Sequence, residues 1–218
     1  MGPDGDIYNL NGVHIGNDGI VDNKVYLKRT KDNAQLSTEE SKQLTDIANE
    51  APCVSNTVNL TDATGITHEE FVQFAANVYN EAKDQSYSQK NKVASAINNR
   101  KDGHSLGGSW SETLDRIMSS KDSHLAKMDQ SRVNPNDTDV LPGTFSVLLK
   151  NIKTGNYQAF INASFLDRNN NNKMRDASKA TISGLIGPDK VGGATEWRSR
   201  YDSKTKTNYN VFRNEGGF

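Results

Sequence analysis

One cysteine, Cys53, stands in a chain of 218 residues. A disulfide framework needs pairs and a cysteine-built zinc centre needs several thiolates, so both are excluded. Aromatic residues make up only 7% and hydrophobic residues 33%. No run approaches the roughly 20 apolar residues of a membrane-spanning helix. An excess of one charge sign is missing too: 26 Lys plus Arg against 27 Asp plus Glu leave a net charge of −1. Without a basic block, the chain lacks the electrostatic footprint of a protein that lives on nucleic acid or an anionic membrane. His14, His68, His104 and His124 show no i, i+4 pairing, so no zinc site is expected and no cofactor is called for. Met1-Gly2-Pro3-Asp4-Gly5 is not a basic stretch leading into an apolar run, so no signal peptide is expected. Neutral polar residues fill the composition instead, 25 of them asparagine. The apolar residues are clustered and periodic, which suffices for a core at this length.

The first third reads as short strands at Asp6-Ile7-Tyr8, Val13-His14-Ile15 and Lys24-Val25-Tyr26-Leu27. Asn11-Gly12 and Asp18-Gly19 supply the positive φ that tight turns need. Asn17, Asp18 and Asp22 form an oxygen-rich group, for which turn chemistry is the expected role rather than metal ligation. One further helix is expected from Thr38 to Asn49.

Thr67-His68-Glu69-Glu70 is a capping box that opens a helix running to about Asp84. Phe71, Phe74, Ala75, Val78 and Ala82 share one face, and Glu81 falls on its margin. A half-desolvated carboxylate favours its protonated form, which is what a general acid needs near neutral pH; the alternative is a surface Glu near a helix end. A second helix spans Gln89 to Arg100, capped by Ser86 or Ser88. Ser109-Trp110-Ser111-Glu112 is another capping box, and residues 101–108 form the intervening loop.

Further helices are expected at Leu141–Lys153, Asn156–Leu166 and about Asp176–Ile186. Between the last two, Asp167, Asn169 and Asn171 have the 1-3-5 oxygen spacing of a calcium loop. The glycine at position 6 and the acid at position 12 are missing, so a plain connector is expected. Residues 194–213 read as a hairpin whose Trp197, Tyr201, Tyr209 and Phe212 serve either as core or as a sugar-stacking surface. Gly192-Gly193-Ala194 leaves bare backbone, either as a tight entry into that hairpin or as a place for a ligand to approach closely.

Val78-Tyr79-Asn80-Glu81-Ala82 followed by Val93 through Asn98-Asn99-Arg100 resembles the SleB-type cell-wall hydrolases, whose catalytic helix carries Tyr-Gly-Glu-Ala/Ser. Trp110, Thr113 and Ile117 fit that family's next element. Gly187-Pro188-Asp189 through Gly192-Gly193-Ala194-Thr195-Glu196-Trp197 is similar to its Asp-Pro-x-Gly-Gly-Ala segment. Asn80 stands where the family has Gly, and the gap before Asn98-Asn99-Arg100 is short. Residues 7–26 look like the lead-in to lysozyme-like toxin domains at the C-termini of type VI secretion effectors.

The resemblance implies a mainly α (α+β) lysozyme-like fold with small β elements at both ends. Residues 1–66 would form a lead-in packed on a catalytic domain of residues 67–218. It implies a glycosidase cutting the muramic acid to glucosamine linkage of peptidoglycan, with Glu81 as general acid and Gly193, Ala194, Thr195 and Trp197 against the glycan. The expected setting is the periplasm of a target bacterium, with secretion machinery and an immunity protein as partners. A lysozyme needs a second carboxylate, for which Asp84 and Asp102 are nearest in sequence; a lytic transglycosylase needs only the one Glu. Two other classes compete, a non-catalytic glycan-binding module and a nuclease toxin; the charge and the lack of a His-rich metal motif speak against the second.

Overall fold

The computed structural model describes residues 5–28, 57–102, 108–115, 117, 155–202 and 207–213. The expected helices Thr38–Asn49 and Leu141–Lys153 lie outside the described residues. Within them the fold is mainly helical α+β, with β elements towards both ends of the chain.

β1 (Asp6–Asn9), β2 (His14–Asn17), β3 (Val25–Lys28) and β4 (Thr57–Asn59) form one sheet in the order β2-β1-β3-β4. β1 and β2 make the antiparallel hairpin that the turn residues predict, while β3 lies parallel to β1 and antiparallel to β4. Asn9 Oδ1 closes the hairpin turn by accepting the amides of Asn11 at 2.9 Å and Val13 at 3.1 Å. Gly12 in this turn has φ +75°, and a Cβ there would collide with the backbone of Arg175 and Lys179. The turn therefore rests directly on a helix from the far end of the chain. β4 is missing from the sequence reading, since three residues are too few for alternation to register.

Asn59 caps α1 (Leu60–Thr64), and Thr67 with Glu70 forms the predicted capping box of α2 (His68–Ala82). Its predicted face is the core: Phe71, Phe74, Ala75, Val78 and Ala82 are all buried. α3 (Tyr87–Asp102) starts two residues earlier than expected. Residues 110–115 and 155–162 are helical, followed by α4 (Phe165–Asn170), α5 (Asn172–Ile186) and the hairpin of β5 (Glu196–Asp202) and β6 (Thr207–Arg213). α3 and α5 cross closely, with a Cβ on Gly184 falling 2.8 Å from the Cβ of Ala94. Val25, Leu27, Val58, Leu60 and Ile66 join Phe71, Phe74, Val93, Ile97 and Ile182 in one continuous core, so the N-terminal sheet is built into it.

The Asp167–Lys173 segment is not the loop the sequence suggests. Ser164 caps α4 at the amide of Asp167, and Asn171 caps α5 at the amides of Lys173 and Met174. Asn169 pairs with the edge of β2, accepting from the His14 amide at 2.9 Å and donating to its carbonyl at 2.8 Å. Asparagine prefers caps and turns, and two caps in succession turn the run into helix ends instead of a loop. The oxygens a cation would need are thus committed to protein donors. Chelation is expected to leave the melting temperature unchanged, measured by thermal unfolding with and without a chelator. Asp18 and Asp22 are engaged likewise, each accepting the amide two residues on, at 2.9 Å from Ile20 and 3.1 Å from Lys24.

Buried Asp6 links β1 to its neighbours. Its Oδ1 lies 2.6 Å from His14 Nε2 and its Oδ2 lies 2.9 Å from His68 Nδ1. His68 Nε2 is 3.1 Å from the Tyr8 hydroxyl, and the charge of Arg168 on α4 acts on that hydroxyl. His14 stacks on Phe165 with ring centroids 3.7 Å apart. Tertiary structure thus brings together two histidines that no sequence spacing pairs. They bind a carboxylate instead of a cation, and among the described residues no group of His, Cys, Asp and Glu is arranged to hold a metal ion. Among the described residues no helix is long and apolar enough to cross a membrane.

Candidate active site

Glu81 sits one residue from the end of α2, where the apolar face meets solvent, and it is half-buried. The indole N–H of Trp197 on β5 donates to its Oε2 at 3.1 Å. Asn80 Nδ2 lies 3.5 Å from Oε1. Trp197 faces Phe212 across the hairpin, and both pack on the common core. The guanidinium of Arg100, on the last turn of α3, lies 5.6 Å from the Trp197 ring centroid. An acid, an aromatic platform and a cation from three separate elements therefore meet at one place.

The strand carrying Trp197 is led in by residues 187–195, tied to α3 by polar contacts. Asn99 Nδ2 donates to Asp189 Oδ1 at 3.1 Å and to the Ala194 carbonyl at 3.2 Å. Asp189 also accepts the amide of Val191 at 2.8 Å and, through Oδ2, the amide of Gly193. Ser95 Oγ receives the Lys190 amide at 3.3 Å. Partial burial pushes the Asp189 carboxyl up, but the amides of Val191 and Gly193 and the Asn99 side chain outweigh it and hold the group below the ordinary aspartate range.

Of the residues singled out from sequence, Glu81 and Trp197 touch directly. Gly193 is exposed, three residues before the first residue of β5. Ala194 and Thr195 are 4% and 7% exposed, so their side chains are buried. Asp84 pairs with Lys173, which holds its carboxyl below the ordinary range, and Asp102 is held by Asn98 at 3.2 Å and Lys101 at 3.0 Å. Asn99, Arg100 and Asp189 lie within the motif segments, and their part in the site comes from the tertiary structure. The signal for Asp189 was its place ahead of a glycine pair, where a carboxylate can collect turn amides.

Gly192 and Gly193 have φ of +62° and +79°, and a Cβ on either would meet open space. The glycines are therefore required by backbone conformation, whatever approaches them. Gly193→Val is expected to cost about 1–2 kcal/mol of stability and Gly193→Asn distinctly less, because Asn tolerates the left-handed region. Denaturant unfolding of the two variants side by side checks this.

In comparisons with known proteins, no family model, no curated protein and no solved structure matches the chain.

Proposed function

We propose that this chain is a peptidoglycan glycosidase in which Glu81 protonates the glycosidic oxygen between muramic acid and glucosamine. The observation that carries the reading is the Trp197 indole bound to a half-buried Glu81 at the edge of the core. A carboxyl oriented by a neighbour and partly shielded from water can hold a proton in the direction of a leaving oxygen. Trp197 beside it is half-buried with Arg100 at its ring, and a planar aromatic of this kind is the type of side chain on which a sugar ring stacks. The chain would act as the toxic domain of an antibacterial effector in the periplasm of a target cell, with an immunity protein as its natural antagonist.

A lytic transglycosylase needs only the one Glu, and Asp189, the carboxylate on the segment leading to Trp197, is engaged through both oxygens by the amides of Val191 and Gly193 and by Asn99. In that reaction Glu81, after giving up its proton, takes one from the sugar's own 6-hydroxyl. Digestion of purified peptidoglycan followed by mass spectrometry tests both readings. Muropeptides ending in a reducing sugar mean hydrolysis, and products lighter by one water mean transglycosylation. Intact glycan strands, with the protein bound to them, would replace both with a glycan-binding module.

A further inference from the structure

We propose that Asn99 and Asp189 are positioning residues, a two-part clamp that sets the meeting of Trp197 with Glu81. This deepens the glycosidase reading and rests on it for its catalytic meaning. The argument begins with how Trp197 reaches its place. β5 starts at Glu196, and the preceding residues pass through two consecutive glycines in the left-handed region. Such a turn is intrinsically the most adaptable stretch of the segment, since glycine loses the most freedom on ordering.

Asp189 closes the turn by gathering the amides of Val191 and Gly193. Asn99 then fastens both ends of it, because one amide group donates to Asp189 on the near side and to the Ala194 carbonyl on the far side. Asn99 belongs to α3, which packs into the core through Val93 and Ile97. The next residue, Arg100, lies over the ring of Trp197. The last turn of α3 therefore holds the hairpin entry by its backbone and the tryptophan by its ring. Both oxygens of Asp189 are committed to this closure, which makes it a support and not a reacting group.

The chemistry of the pair distinguishes the clamp from ordinary packing. Asn99 acts as donor twice. Asn99→Ala removes two hydrogen bonds, while the isosteric Asn99→Asp removes them and also sets a second carboxylate against Asp189. The isostere is therefore expected to do more damage than the truncation, the reverse of a cavity effect. Combining Asn99→Asp with Asp189→Asn removes the repulsion and is expected to recover part of the loss.

The test reads the two tryptophans of the chain by their indole N–H resonances in a nitrogen-15 correlation spectrum. Trp110 donates to the Thr64 carbonyl at 2.9 Å and reports on the core. The expected result is that Asn99→Ala, and more so Asn99→Asp, moves the Trp197 resonance towards its position in Glu81→Ala and leaves the Trp110 resonance in place. Cell-wall turnover in the same variants is expected to fall about tenfold or more in kcat with KM little changed. A Trp197 resonance that stays in place in both variants overturns the clamp, and so does an equal movement of both resonances, which would mark a general loss of structure. Absence of cell-wall cleavage by the unaltered protein would end the glycosidase reading, and the indole shifts would then decide the clamp alone.

Discussion

Glu81→Gln is expected to abolish cell-wall lysis, lowering turnover by roughly 10²–10⁴ fold, with the melting temperature close to that of the parent. The amide has the size of the acid and its carbonyl still accepts the Trp197 indole N–H, so the contact between α2 and the terminal hairpin survives. What is lost is the transferable proton. A carboxamide cannot protonate a departing sugar oxygen at neutral pH, and neither packing nor stacking on Trp197 compensates. Clearing of a cell-wall zymogram and the thermal unfolding of the same preparation are the measurements. Lysis at a rate near the parent's would remove Glu81 from the chemistry, and an equal collapse of stability would make it a structural residue.

Asp6→Ala is expected to destabilise the fold by about 3–5 kcal/mol, the largest effect of any single change outside the core. The carboxylate is buried and takes hydrogen bonds from His14 on β2 and His68 at the start of α2. Truncation leaves both imidazoles without their acceptor, and through His68 it also disturbs the Tyr8 hydroxyl. Burial alone would push the Asp6 carboxyl up, but the His14 and His68 hydrogen bonds outweigh it and bring it down to about 2 from the ordinary 3.8. A depressed folded-state value stabilises above the unfolded value and loses that contribution as pH falls through the folded one. The Asp6 contribution, about 2 kcal/mol by this linkage, is thus present at pH 5 and above and fades between about pH 4 and pH 2. Denaturant unfolding of the parent and of Asp6→Asn at neutral pH, pH 4 and pH 2 checks it. The gap between them is expected to be widest at neutral pH and to narrow over that acid window.

Much of the helical frame was legible because its signals are local. The Thr67–Glu70 box and the Phe71, Phe74, Val78 repeat each act within one or two turns, and α2 follows them closely. The β1–β2 hairpin and the terminal hairpin were legible from turn residues and alternating apolar positions. The role of the asparagine run at 169–172 is not legible in the sequence, because the same residue type serves loops and caps and only the neighbouring helix ends select between them. Ala194 and Thr195 lie buried, a depth that a motif does not carry because it gives only order along the chain.

Short-range physics therefore determined the frame of α2 and the position of Glu81 on the margin of its apolar face. Helix periodicity and capping act over three or four residues, so their signal is carried by the local sequence. The tertiary structure alone decided what Glu81 meets. Its partner Trp197 lies 116 residues away in the chain, and the Asn99–Asp189 link crosses 90. Asp6 finds His68 across a smaller gap, with a chain reversal between them. Contacts of that separation depend on how α2, α3 and α5 stack and on which way the hairpins leave them. That arrangement is set by the summed burial of the whole core and by no motif within reach of either partner.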